Sequence, residues 1–481
     1  MAPKHGNYYV DCLPVVGTPS SGFLGLARAS RHSWTAVWVF LGLVLSVNGC
    51  GKPTQHETRA LSIDAAQSAA ATSEETPLAQ LSSAAAAALP FNWPRFHGPK
   101  GDNISSERGL LQKWPEAGPK LLWSCNGIGE GYGCPSIADG LIYTSGVIDD
   151  ETKITAMNLD GHILWQKPSG GVWKGDYAGA RATPTIDGGR LYHESSLGQV
   201  VCLDAKTGNE IWGVNILKKF DAGNIGWGLA ESVFIDGDHA ICCPGGKKAS
   251  VVALNKNTGE VVWTAKPVDE LTAYATPVLA EYEGLRIILT MNQKALIGVN
   301  ADNGELLFRH PHGTRYDVNA TSPIFREGQV FITSGYRAGS EMVKLRVDGR
   351  KVAVESVWQS QELDNHHGGV VLLDGYLYGA AHERNKGGWI CLAWADGAKK
   401  YAEKGVGKGS LTCADGMLYC WSEKGLVGLV PATPEKHEPI STFSVAEGGE
   451  GPTWAHPVVC GGRLYLRHGN LLHAYDIRAA K

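Results

Sequence analysis

The 481 residues contain no basic run longer than two, and the formal net charge is −4. A nucleic-acid partner is therefore not expected, because phosphate backbones demand clustered lysine and arginine. Catalytic signatures are missing as well. There is no C-x-x-C-H for covalent haem and no P-loop, and the search for a G-x-S-x-G nucleophile turn fails at Ser340 in AGSEM and at Ser410 in GKGSLT. The nine cysteines that follow Cys50 fall into no zinc-ligand spacing; Cys413 and Cys420 flank one hairpin. Charged residues make up only 19%, whereas 61 glycines and 43% apolar residues suit a turn-rich all-β chain. A chain this long exceeds the usual single core, so it is either several domains or one fold built by repetition.

Long apolar runs are also scarce. The one at the N-terminus, Trp34 to Val47, is roughly 14 residues, short for a spanning helix. It follows Arg28 and Arg31 and ends in small residues, the layout of a secretory signal. Val47-Asn48-Gly49-Cys50 resembles a bacterial lipobox, although Asn48 departs from its most typical residue; Cys50 would carry the lipid. An ordinary cleaved signal and an uncleaved anchor are the alternatives, and all three place the body outside the cytoplasm. The expected division is a leader and signal over 1–49 and a low-complexity tether over 50–90, rich in Ala, Ser and Thr. An extension over 91–119 follows, beginning FNWPRFHGP, and then a repeat region over 120–481. The extension either packs on the outside of the repeats or serves as a wedge or lid.

One hairpin pattern recurs eight times: ADGLIY, DGGRLY, DGDHAI, YEGLRI, REGQVF, LDGYLY, ADGMLY and CGGRLY. The turn positions Gly140, Gly189, Asp238, Gly284, Gly328, Gly375, Gly416 and Gly462 are 41 to 49 residues apart. Such a period, with alternating strands and no helical pattern, predicts an eight-bladed β-propeller of four-stranded antiparallel blades. A second element closes most copies. CLDAKTGNEIW, ALNKNTGEVVW and GVNADNGELLF lead to Trp212, Trp263 and Phe308, with Trp165, Trp358 and Tyr401 continuing the series. The seventh copy, GLVPATPEKHEPIS, lacks the Gly and the Trp. The eighth stops without an outermost strand, while LLWSC with Trp123 precedes the first, so an N-terminal strand is predicted to close the last blade.

The order A-x-D-x-x-T-G-x-x-x-W, matched best by Asp204, Thr207, Gly208 and Trp212, resembles the PQQ-like (pyrroloquinoline-quinone) repeat. With the exported start, the chain is similar to BamB-type assembly lipoproteins of that family. The resemblance implies a monomeric cell-envelope scaffold, held in the membrane by its lipid and binding envelope proteins, peptides or a small molecule. Quinoprotein alcohol and sugar dehydrogenases share the repeat and imply a different activity, PQQ- and Ca²⁺-dependent oxidation. A lectin-like, carbohydrate- or small-ligand-binding propeller is the third reading.

In any of these the innermost strands begin at one mouth of the central channel. Counting back six to ten residues from each hairpin turn collects a funnel of Tyr132, Arg181, Glu231, Tyr274, Asn319, His366, His367, Lys408, Trp454 and His456. His366 and His367 are neighbours, which a strand would send to opposite faces. For a quinoprotein, Glu231 and Asn319 are the candidate Ca²⁺ ligands and Asp317 the base, while Arg181 would pair with the quinone and Trp454 or Trp227 would stack on it. Adjacent Cys242 and Cys243 would supply the vicinal disulfide of those enzymes, or be ordinary core residues. The chain is short for those dehydrogenases.

Overall fold

The computed structural model describes residues 92–480. The leader, Cys50 and the tether over 50–90 lie outside the described residues. Eight sheets make up the described part, seven of four strands and one of five, each meandering outward from the channel. The innermost strands are Ser136–Ala138, Thr185–Asp187, Phe234–Asp236, Val278–Tyr282, Ile324–Arg326, Val370–Leu373, Gly409–Ala414 and Val458–Cys460, which define blades 1 to 8. Each turns into its second strand through two residues. In seven of these eight turns both residues have positive φ, the type I′ signature; Gly237-Asp238 has it only at the glycine. The fold is the all-β eight-bladed propeller that the period predicts.

Blade-to-blade contact follows from the second repeated element. The aromatic on the outermost strand of one blade lies over the turn glycine of the next: Trp123 on Gly161, Trp165 on Gly208, Trp212 on Gly259, Trp263 on Gly304 and Trp358 on Gly397. A Cβ on any of these glycines would come within 2.6 to 2.7 Å of the indole. Most of these indoles also donate Nε1–H to a carbonyl of that same turn, as Trp212 does to Lys256 at 2.9 Å and Trp263 to Ala301 at 3.1 Å. In the aberrant seventh copy Phe443 takes the aromatic position, against Gly118.

Lys120–Asn126 pairs antiparallel with Leu471–Asp476 and completes blade 8. The buried guanidinium of Arg467, on the second strand of that blade, adds a clip across the seam by donating to Gly129 O, Gly133 O and Thr144 Oγ1 of the first. Residues 93 to 105 do not run around the outside. Trp93 bridges Ile137 of blade 1, Pro94 O accepts from Ile186 of blade 2, and Ile104–Ser105 pairs parallel with Cys413 and Ala414 of blade 7. The segment thus crosses the channel as a wedge. Glu107 then accepts from the Gly461 and Gly462 amides at 2.7 and 2.6 Å, fixing the extension to the hairpin of blade 8.

Gly259→Ala is expected to lower the unfolding free energy by about 2–4 kcal/mol, since the methyl meets the Trp212 ring at a positive φ. Urea denaturation measures it; an unchanged midpoint would show that the Trp212 contact is not a close fit.

Candidate functional site

Where the innermost strands begin, the channel widens into a cavity of about 610 Å³. Eight of the ten funnel residues line it: Tyr132, Arg181, Tyr274, His366, His367, Lys408, Trp454 and His456, joined by Trp227. His366 and His367 both reach the cavity because they stand on an irregular connection rather than in a strand, with ring centroids 4.7 Å apart. The expectation of opposite faces therefore does not hold for them.

Glu231 and Asn319 are not lining residues. Their neighbours Ala230, Ser232, Val318 and Ala320 are, so along extended backbone the intervening side chains turn into the wall. Asn319 is buried and saturated: Nδ2 donates to the carbonyls of Asn292, Gln293 and His312, and Oδ1 accepts from Ser334 Oγ at 2.6 Å. Asp317 occupies a loop position with φ 58° and does not line the cavity either. Cys242 and Cys243 are free buried thiols that pack into two different apolar clusters.

Glu231 meets a second carboxyl instead. Its Oε1 accepts from the Cys243 amide at 2.6 Å, and Glu194 lies beside it. Neither oxygen of Glu194 has a donor within reach, so in this buried site it cannot be satisfied as an anion. Burial, reinforced by the Glu231 charge, raises its pKa well above the ordinary carboxyl range. Burial raises Glu231 as well, less far than Glu194, so Glu194 is the member of the pair expected to take up a proton first.

Residues before the innermost strands make up most of the mouth but not all of it. Tyr336, His382 and Glu423 also line it, from the connections between second and third strands. Antiparallel pairing returns the second strand to the end where the first begins, and counting seven or eight residues forward from Gly328, Gly375 and Gly416 finds all three. Glu423 is the one carboxylate among the lining residues. Its Oε1 lies 2.9 Å from Lys408 Nζ, 3.1 Å from His367 Nε2 and 3.2 Å from Trp454 Nε1. Burial alone would raise its pKa, but His367 and Lys408 outweigh that and bring it down to about 2.

The imidazoles are held neutral. Burial takes His382 and His456 down to about 4 and lowers His366 and His367 as well. Phe96 of the wedge lines the cavity, and behind it His97 Nε2 is 3.2 Å from His456 Nδ1. Lys408 and Glu423 cancel, which leaves Arg181 as the cation without a carboxylate partner among the lining residues. Its Nε and Nη2 donate to the carbonyls of Trp227 and Tyr177, both at 2.7 Å, and its guanidinium lies 5.5 Å from the Tyr132 ring centroid. A fixed, desolvated guanidinium among Tyr132, Tyr177, Trp227, Tyr274, Tyr336 and Trp454 is suited to an anion carried on a flat body.

Fold, repeat and cavity together define a PQQ-like-repeat propeller with an aromatic channel site. The chain belongs to the family described as outer membrane protein assembly factor BamB, which matches residues 150–403. Among solved structures it is similar to BamB from Moraxella catarrhalis, at 14% identity and a TM-score of 0.50 over 75% of this chain and 100% of that one. Quinohemoprotein alcohol dehydrogenase from Comamonas testosteroni matches at 12% identity and a TM-score of 0.57, over 82% of each chain. At these identities the likeness is one of fold. In sequence, part of the chain is similar to quinoprotein alcohol dehydrogenase PedH of Pseudomonas putida, 29% identical over 147 residues, 28% of this chain and 23% of that protein. Another match is quinoprotein ethanol dehydrogenase of Pseudomonas aeruginosa, 35% identical over 96 residues, 20% of this chain and 15% of that protein. The chain thus spans less than a quarter of either curated relative.

The cavity does not fit a Ca²⁺-assisted quinone. Ca²⁺ takes six to eight oxygens, several of them carboxylate or amide. Glu231 and Asn319 face into the wall, and Glu423 is already tied to Lys408 and Trp454.

The Glu194 carboxyl contributes stability that is full below its unfolded pKa and is lost as pH rises through the raised folded value. Glu194→Gln keeps a donor and cannot ionise. Its melting temperature should match the wild type near pH 4 and exceed it by a few degrees at pH 8; parallel curves in calorimetry across that range would show that Glu194 is not the proton carrier.

Proposed function

We propose that this protein is an exported binding propeller of the cell envelope, tethered through a lipid on Cys50, whose channel takes a small organic anion without metal assistance. The observation that carries the reading is Arg181: a guanidinium held by two carbonyls, surrounded by aromatic rings and facing no carboxylate in its cavity. The ligand it suits carries one carboxylate on a ring that can stack, either aromatic or pyranose. Membership of a family described as an outer membrane protein assembly factor supports the envelope location and a scaffold role toward envelope proteins. The signal-like run and lipobox-like residues support the tether. Local similarity to quinoprotein dehydrogenases keeps PQQ-dependent oxidation as the second reading.

Titration with 4-hydroxybenzoate and with glucuronate, followed by tryptophan fluorescence and calorimetry, tests the first reading. Binding should weaken at least about tenfold in Arg181→Ala, with unchanged thermal unfolding. If neither probe binds, or if the variant binds equally well, the anion site is excluded. Ca²⁺-dependent uptake of PQQ with dye-linked alcohol oxidation would establish the dehydrogenase reading in its place. Separately, Cys50→Ser should abolish incorporation of labelled fatty acid and move the protein to the soluble envelope fraction, whereas labelling that persists would remove Cys50 as the anchor.

A further inference from the structure

A second cavity, of about 630 Å³, lies on the other side of the wedge, toward the hairpin ends of the innermost strands. Phe96, Ser232 and Thr276 border both cavities. Its walls are strand edges. In each blade the two residues flanking the hairpin turn pair with each other, and the residue one step earlier turns its N–H and C=O toward the channel.

At three blades the wedge meets these inward groups. Trp93 and Ile137 exchange hydrogen bonds of 2.7 and 2.8 Å, Ile186 N–H donates to Pro94 O at 2.7 Å, and Cys413 N–H donates to Asn103 O at 3.1 Å. At blades 3, 5 and 6 the corresponding inward positions are Ile235, Phe325 and Leu372; in the longer strand of blade 4 that position is Glu281, and Leu279, two residues earlier, has the same orientation. Ile235, Leu279, Phe325 and Leu372 line the second cavity, and their inward backbone groups have no intramolecular partner among the described residues.

We propose that this cavity is a docking site for an extended segment of a partner polypeptide, taken up by strand addition to the inner edges of blades 3 to 6. The wedge is the precedent within the molecule: an extended stretch of this chain already occupies the matching edges of blades 1, 2 and 7 of the same channel. Main-chain hydrogen bonds supply the affinity in such recognition, and alternate side-chain pockets supply the specificity. Here apolar residues such as Leu279 and Leu372 are interspersed with the hydroxyls of Thr276 and Ser322, and Arg95, Lys100, Asp102, Asp236 and Arg326 add charges of both signs at the edge. The strand edges themselves match a short segment of β-branched and hydroxyl-bearing residues. The site shares Phe96, Ser232 and Thr276 with the first cavity but not Arg181, and it does not depend on that cavity's ligand.

The test uses the full-length protein and acetyl-Thr-Val-Thr-Val-Thr-Val-amide, with two counterparts N-methylated on alternate amides. Calorimetry should show saturable binding below about 1 mM, and at least one N-methylated set should lose about tenfold or more, because it removes the donors facing the strand edge. Hydrogen exchange should slow in Phe234–Asp236, Val278–Tyr282, Ile324–Arg326 or Val370–Leu373. Affinity should be the same in Arg181→Ala, which separates this site from the first cavity. No binding at that concentration, indifference to both N-methylation patterns, or protection confined to outermost strands would each overturn the proposal.

Discussion

The ring depends on one repeated contact, an indole from the outer strand of one blade lying on the turn glycine of the next, made at five of the eight junctions. A four-stranded blade has two apolar faces and no means of burying them alone. The Trp–Gly contact sets the distance at which neighbours pack, and its Nε1–H bond to the turn carbonyl, as from Trp212 to Lys256, sets the orientation. Steric room and backbone conformation are required together at Gly208 and Gly259, where φ is 70° and 73° and a Cβ would strike the ring. Eight blades, five of their junctions built on that contact, bring the last blade back to the first. There Lys120–Asn126 and the Arg467 clip replace a loose end by a shared sheet.

Closure creates the channel, and the wedge divides it. Both cavities inherit their chemistry from which part of each blade reaches the axis. At one end connections deliver aromatic rings, neutral imidazoles and Arg181. At the other, short strand edges deliver backbone groups with apolar side chains, and charged residues such as Arg95 and Asp236 stand among them. The Lys408–Glu423 pair shows how the first cavity limits its charge: the one carboxylate is committed to a cation and an indole, so Arg181 dominates the remaining field. The resident groups are poorly arranged for a hard cation and well arranged for an organic anion.

The sequence located the mouth of the channel by counting back from the hairpins, and eight of ten residues so chosen line the cavity. The two that do not, Glu231 and Asn319, differ from their neighbours by a single step along extended backbone. That step is enough to turn a side chain from the channel into the wall. Tyr336, His382 and Glu423 were missed because only the approach to each blade was counted, although the antiparallel return places the second connection at the same mouth.

Blade number, hairpin turns, the docking aromatics and the closing strand are all carried by local repetition, in which period and turn chemistry recur eight times and reinforce one another. These were legible without coordinates. Whether a given polar side chain faces the axis, whether two carboxyls from different blades meet in one buried site, and where residues 93 to 105 lie depend on contacts between segments far apart in the chain. Glu194 with Glu231, Arg467 with Gly129, and Trp93 with Ile137 have no mark in the local pattern. Only the packing of separate blades around one axis decides them.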